Sequence, residues 1–106
     1  MIYQLTFYVK ENNKTKLTNM FDSLVKKCDL KSYHVMVCDF EDTGYRRAYF
    51  LDHGSLMIKT FDEYEITFVQ FVAYNKKSID IFKKNVCEYF DIIDPSFKEY
   101  TYEKRL

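Results

Sequence analysis

The chain predicts an α+β fold, a two-layer sandwich in which two helices cover one face of a mostly antiparallel sheet. Three observations carry this. Five segments alternate apolar and polar residues with period two, two segments repeat apolar residues at three-and-four spacing, and the two kinds are interspersed along the chain. With 106 residues, 47% of them apolar and 30% charged, the sequence supports a single domain, 1–106, around one core.

Tyr3, Leu5, Phe7 and Val9 alternate with Gln4, Thr6 and Tyr8, a first strand ended by the polar Glu11-Asn12-Asn13 turn. Leu17, Met20, Phe21, Leu24, Val25 and Cys28 then form one apolar stripe on a helix of about four turns. Val35 and Val37 share a face between His34, Met36 and Cys38 in a second strand. Gly44 breaks that pattern, and Tyr45–Leu51 resumes it. The corner Asp52-His53-Gly54 leads into a central hairpin, where Leu56 and Ile58 alternate with Ser55, Met57 and Lys59. Beyond the acidic-aromatic turn Phe61-Asp62-Glu63-Tyr64-Glu65, residues Ile66, Phe68, Val72 and Tyr74 alternate with Thr67, Val69, Phe71 and Ala73. Asn75 caps a second helix carrying Ile79, Phe82, Val86, Tyr89 and Phe90, and Pro95 closes the region after it. The order is β-α-β-β-β-β-α, with a possible last strand near Tyr100–Tyr102, a relative of the ferredoxin-like plan. Tyr8, Tyr45, Tyr49, Phe68 and Phe71 are more aromatic surface than one small core needs, so a homo-oligomer is expected to bury the open sheet face or an edge.

Sixteen Lys plus Arg balance sixteen Asp plus Glu, so no net basic field recruits nucleic acid or an anionic membrane. No apolar run approaches the length of a membrane span, and the start Met1-Ile2-Tyr3-Gln4 lacks the basic residues of a signal peptide. Cys28, Cys38 and Cys87 have no metal-type spacing and read as buried free thiols in a reducing cytoplasm. The two histidines, His34 and His53, lie on different elements with no ligand partners at suitable spacing, so no metal site is expected. The hairpin from His53 to Tyr74 is where functional side chains are expected to collect. Lys59 on its first strand is a carboxylate-binding or Schiff-base lysine if buried, and a surface lysine if not. Arg46-Arg47 either face a ligand or pair on the surface with Glu41 and Asp42.

Residues from about 33 to 90 resemble the small prokaryotic S-adenosylmethionine decarboxylases. Those proteins carry a strand-turn-strand of the form ESHISIHT, a W/Y-P-E-H-G-Y turn, an apolar strand ending FTCG, and a helix. The matching run here is His53-Gly54-Ser55-Leu56-Met57-Ile58-Lys59-Thr60, then Phe61-Asp62-Glu63-Tyr64-Glu65-Ile66, then the strand through Tyr74 and the helix from Ser78, without a gap. The resemblance implies the fold and a pocket for an adenosyl ligand, but it departs at the chemistry. Gly54 stands where the family's serine cleaves its own backbone, so no pyruvoyl group forms. Ser55 serves only if the alignment slips by one, which reverses the strand's faces. The histidine of IHT is Lys59 and the cysteine of TCG is Tyr74, and only the turn glutamate survives, as Glu63. Decarboxylation is not expected, and no cofactor is.

The chain is also similar to the small phage-type S-adenosylmethionine lyases in size, expected architecture and a loose Thr43-Gly44-Tyr45-Arg46 likeness. That resemblance implies a cytoplasmic homo-oligomer, a trimer by preference, with active sites between subunits. The substrate's own carboxylate displaces the sulfonium, giving methylthioadenosine and homoserine lactone, so the enzyme mainly holds geometry, worth roughly 7–11 kcal/mol. In such a site Tyr45, Phe61, Tyr64 and Tyr74 are the aromatic faces for a sulfonium. Glu63 or Glu65 is the acidic group, Lys59 a further catalytic candidate, and Arg46-Arg47 the contact for the phosphate of an AMP conjugate, a signal of type III CRISPR defence on which some such lyases act. The alternative is a non-catalytic module that binds an adenosyl ligand or blocks a partner protein on the same fold.

Overall fold

A computed structural model describes residues 1–40, 44–94 and 96–103. Glu41 and Asp42 as partners for the arginines, Thr43 of the lyase-like run, Pro95 and the end of the chain from Lys104 lie outside the described residues. The elements are β1 (Ile2–Val9), α1 (Lys14–Lys27), β2 (Ser32–Phe40), β3 (Gly44–Leu51), β4 (Gly54–Phe61), a 3-10 turn (Asp62–Tyr64), β5 (Ile66–Ala73), α2 (Lys76–Tyr89) and β6 (Lys98–Tyr102). The strands make one six-stranded sheet in the order β2-β3-β4-β5-β1-β6. Every neighbouring pair is antiparallel. The expected α+β sandwich is therefore present, and its sixth strand is real.

Local chemistry sets the helix limits. The Asn13 side chain accepts from Lys16 N at 3.0 Å, and the Asn75 side chain from Ser78 N at 2.8 Å, so each helix begins where an Asx residue satisfies an orphan donor. Lys26 and Lys27 lie in the last turn of α1, at the negative end of its dipole. Asp29 then takes a left-handed conformation (φ 55°), while Cys28 N and Leu30 N close on Leu24 O and Val25 O, and the helix stops.

Period-two alternation sorts the sheet into two faces. On the inner face the register places Leu5 beside Phe71, Phe71 beside Leu56, and Leu56 beside Tyr49. Leu17, Phe21 and Leu24 of α1 and Ile79, Phe82 and Val86 of α2 close over this layer, all buried. Ring contacts lock it: Phe71 stacks on Phe82 at 4.4 Å and Phe21 on Phe90 at 4.8 Å between centroids. Each such ring stabilises by about 1.5–3 kcal/mol through burial.

Two expectations are corrected here. Tyr45, Tyr49 and Phe71 are not surplus surface: at 5%, 2% and 1% exposure they belong to the helix-side core. Of the five, only Tyr8 and Phe68 lie on the open face. Nor are the thiols buried, since Cys87 is exposed and Cys28 and Cys38 are half-buried, and all three are free. Among the described residues no helix is long and apolar enough to cross a membrane.

Candidate functional site

The hairpin turn is held by its own backbone. Asp62–Tyr64 forms a single 3-10 turn, and Glu65 then adopts φ 55°, its N–H bonding Asp62 O at 3.2 Å, so that β5 starts antiparallel to β4. A side-chain bond from Asn12 Nδ2 to Asp62 Oδ1 at 3.4 Å ties the turn to the loop after β1. Glu63, Tyr64 and Glu65 are all exposed. They form an acidic, aromatic rim at one end of the sheet.

Below that rim lies the outer face of the sheet, which no helix among the described residues covers. Its register aligns side chains in rows across the strands. One row runs Cys38, Arg46, Lys59, Phe68, Tyr8 across β2, β3, β4, β5 and β1. The next runs Met36, Ala48, Met57, Gln70, Thr6, Lys98, and a third His34, Phe50, Ser55, Val72, Gln4, Tyr100. Phe61 sits on the same face, with the Lys59 ammonium 4.9 Å from its ring centroid. The Tyr8 and Phe68 rings are 5.2 Å apart. Towards β6 this face deepens into a groove of about 480 Å³ lined by Gln4, Thr6, Tyr8, Phe68, Ser96, Lys98, Tyr100 and Tyr102. Lys59, Arg46 and Phe61 are thus brought together, with Glu63, Tyr64 and Glu65 at the adjoining rim.

Tyr74 and Tyr45 are not part of that group. Tyr74 follows the last residue of β5, so the eight residues of the strand, at about 3.4 Å each, separate it from Glu63 by about 25 Å. It is exposed beside His53, with ring centroids 6.2 Å apart. His53 Nε2 is 3.4 Å from Asp52, and Asp52 accepts from the Tyr33 hydroxyl at 2.9 Å. Tyr45 points to the helices, where its hydroxyl meets Thr18 Oγ1 at 2.7 Å and its N–H donates to Thr60 Oγ1 at 2.8 Å. That ring is a structural part of the core.

A polar cluster between sheet and helix has no counterpart in the sequence-based expectations. Arg47, on the inner face, donates through Nε to Tyr49 Oη at 2.9 Å and through a terminal nitrogen to Asp22 at 3.1 Å, while Tyr49 Oη donates to Asp22 Oδ1 at 2.5 Å. Burial, with the carboxylate of Asp22 beside it, holds the Tyr49 hydroxyl well above its ordinary range. Burial alone lowers the Arg47 guanidinium, but its contacts with Tyr49, Tyr45 and Asp22 reverse that, and the side chain stays charged. The signal was present: in the inward series Tyr45, Arg47, Tyr49, Leu51 one residue is a cation. Arg46 and Arg47 therefore serve opposite faces and do not act as a pair.

The fold is similar to that of an adenosylmethionine decarboxylase. The match is to the crystal structure of the adenosylmethionine decarboxylase from Aquifex aeolicus VF5, with a TM-score of 0.74 and 11% identity, over 100% of this chain and 92% of that one. At this identity the likeness is one of fold alone. No family model matches the chain, and no curated protein does.

A pyruvoyl group does not fit these residues. A Cβ at Gly54 would stand 1.9 Å from the carbonyl oxygen of Val72, and that oxygen belongs to the neighbouring strand, not to a movable side chain. Glycine is needed there because β5 approaches so closely. Ser55 is half-buried on the outer face, in register with Phe50 and Val72. The hairpin keeps its apolar residues inward only in this register.

Proposed function

We propose that this protein is a lyase that cleaves the sulfonium of S-adenosylmethionine, or of its AMP conjugate, to a methylthioadenosine product and homoserine lactone. The observation that carries the reading is the pairing of a decarboxylase-like fold with a position 54 at which β5 leaves no room for a side chain. Such a fold retains a surface for an adenosyl ligand while losing the means to decarboxylate it. The lyase reaction asks for no group that is missing. A carboxylate oxygen bonds to the γ-carbon, the carbon–sulfur bond breaks, and its electron pair stays on sulfur, so no proton, redox partner or cofactor enters. Positive sulfur and negative oxygen neutralise each other in the transition state, which favours an apolar, desolvated setting.

Phe61 and Tyr64 supply the aromatic faces for the sulfonium, on the order of 1–2 kcal/mol when desolvated. Glu63, with Glu65 behind it, holds the α-ammonium and so aims the carboxylate. Tyr74 joins Glu63 only across two subunits, and the homo-oligomer, a trimer by preference, builds the site between them. Glu63→Gln and Tyr74→Phe are then each expected to lower turnover at least tenfold while the oligomer persists. Mixing the two variants is expected to restore on the order of a quarter of wild-type activity, because that share of sites draws both intact residues from different subunits. Absence of restoration by mixing would contradict the shared site.

A second reading has its own support. The spread of the candidate residues over both ends of the sheet, and the open outer face, favour a non-catalytic module that binds an adenosyl ligand. That protein binds methylthioadenosine and releases no product at any concentration.

A further inference from the structure

Arg46 and Lys59 are directly opposed in the β3–β4 register, on the outer face. Like charges opposed across an antiparallel pair repel, and a sheet is more stable with one of them neutral or reversed. Among the described residues neither has a carboxylate within 4.0 Å, although Lys14, Lys27, Lys76 and Lys83 each have one. Their other register partners are neutral: Cys38 opposes Arg46, Phe68 opposes Lys59, and the Phe61 ring lies under the Lys59 ammonium. Lys59 is half-buried on this floor, so its charge is less screened than that of a free surface lysine.

We infer that Arg46 and Lys59 form a binding site for the phosphate of a nucleotide. Two adjacent cations, one a planar fork and one a point donor, match a tetrahedral anion with several oxygens, and the fork can engage it in bidentate fashion. The reacting carboxylate is the poorer occupant. Two cations on that oxygen would stabilise it before reaction, when its charge must be given up to carbon, and would slow the displacement. The pair therefore serves an anion that takes no part in bond breaking. This rests on the adenosyl-ligand reading for the nucleoside half, and within that reading it selects the AMP conjugate over free S-adenosylmethionine. It also makes Lys59 a binding residue and leaves Arg47, tied to Asp22 on the other face, outside the site.

Calorimetric titration of the full chain with AMP, adenosine and inorganic phosphate tests the site without requiring turnover. AMP is expected to bind at least tenfold more tightly than adenosine, with an advantage that shrinks as salt rises, and more tightly than inorganic phosphate. Arg46→Gln and Lys59→Gln should each reduce AMP towards the adenosine level and leave adenosine binding unchanged. Arg46→Gln should melt no lower than wild type without ligand, since it removes a repulsion, and this separates lost binding from lost folding; Lys59→Gln also gives up the contact of the ammonium with the Phe61 ring. Equal binding of AMP and adenosine, or an AMP preference that survives the double variant, overturns the phosphate site. Failure of the lyase is a separate outcome: an AMP preference lost in the variants, with no product from either substrate, supports the phosphate site and removes only the catalysis.

Discussion

Removing Asp22 while keeping Arg47 leaves a guanidinium with 14% side-chain exposure facing only neutral tyrosine hydroxyls, those of Tyr49 and Tyr45. Asp22→Ala is therefore expected to cost about 2–3 kcal/mol, while Arg47→Met, which replaces the cation by an apolar chain of similar volume, costs under about 1 kcal/mol; urea midpoints of the two variants compare them. Tyr49 gives a pH signature. Its hydroxyl is raised above the usual tyrosine value in the fold, so the unfolded chain ionises first. The stability it contributes is complete below about pH 10 and falls as pH rises beyond it, and Tyr49→Phe flattens that alkaline decline in melting curves. At Gly54 the expectation is steric. Gly54→Ser places a Cβ against the Val72 carbonyl, and the variant should lose several kcal/mol of stability or fail to fold, and should not regain decarboxylation.

Elements whose faces are set by local periodicity were legible in the sequence. The stripe of α1 and the alternation in β1 and β4 are strong because one face of each meets the core, and burial enforces the pattern. The caps at Asn13 and Asn75 follow the same logic, and Asn13→Ala is expected to lower stability by about 1 kcal/mol, read from a thermal melt. The strand β6 was harder to see because all five of its residues are exposed and carry no burial signal; its place depends on pairing with β1, a long-range contact. The face on which Tyr45, Tyr49 and Phe71 lie is not legible either, although these residues are buried. Each face of the sheet holds aromatic residues, and which face the helices cover is decided by packing rather than by residue type. The candidate site divided along this line: residues adjacent in the hairpin stayed together, whereas Tyr74, joined to them only by the length of β5, did not.

At the scale of the whole molecule the two layers leave the second face of the sheet without a helix among the described residues. Met36, Phe50, Met57, Tyr100 and Tyr102 are exposed there, with Arg46, Lys59 and Lys98 among them. A face with that much apolar surface is expected to meet a second copy of the chain. Phe50→Glu should shift the protein to monomer in sedimentation while leaving its far-ultraviolet circular dichroism intact. The lyase reading uses the same face, since it requires a ligand held between subunits and shielded from water. Mass spectrometry of the products formed by the purified protein from S-adenosylmethionine and from its AMP conjugate, without added metal or cofactor, bears on it most directly. Methylthioadenosine, free or still bearing AMP, together with homoserine lactone is the expected result, with the conjugate consumed faster. Release of carbon dioxide, or no product from either substrate, would contradict it.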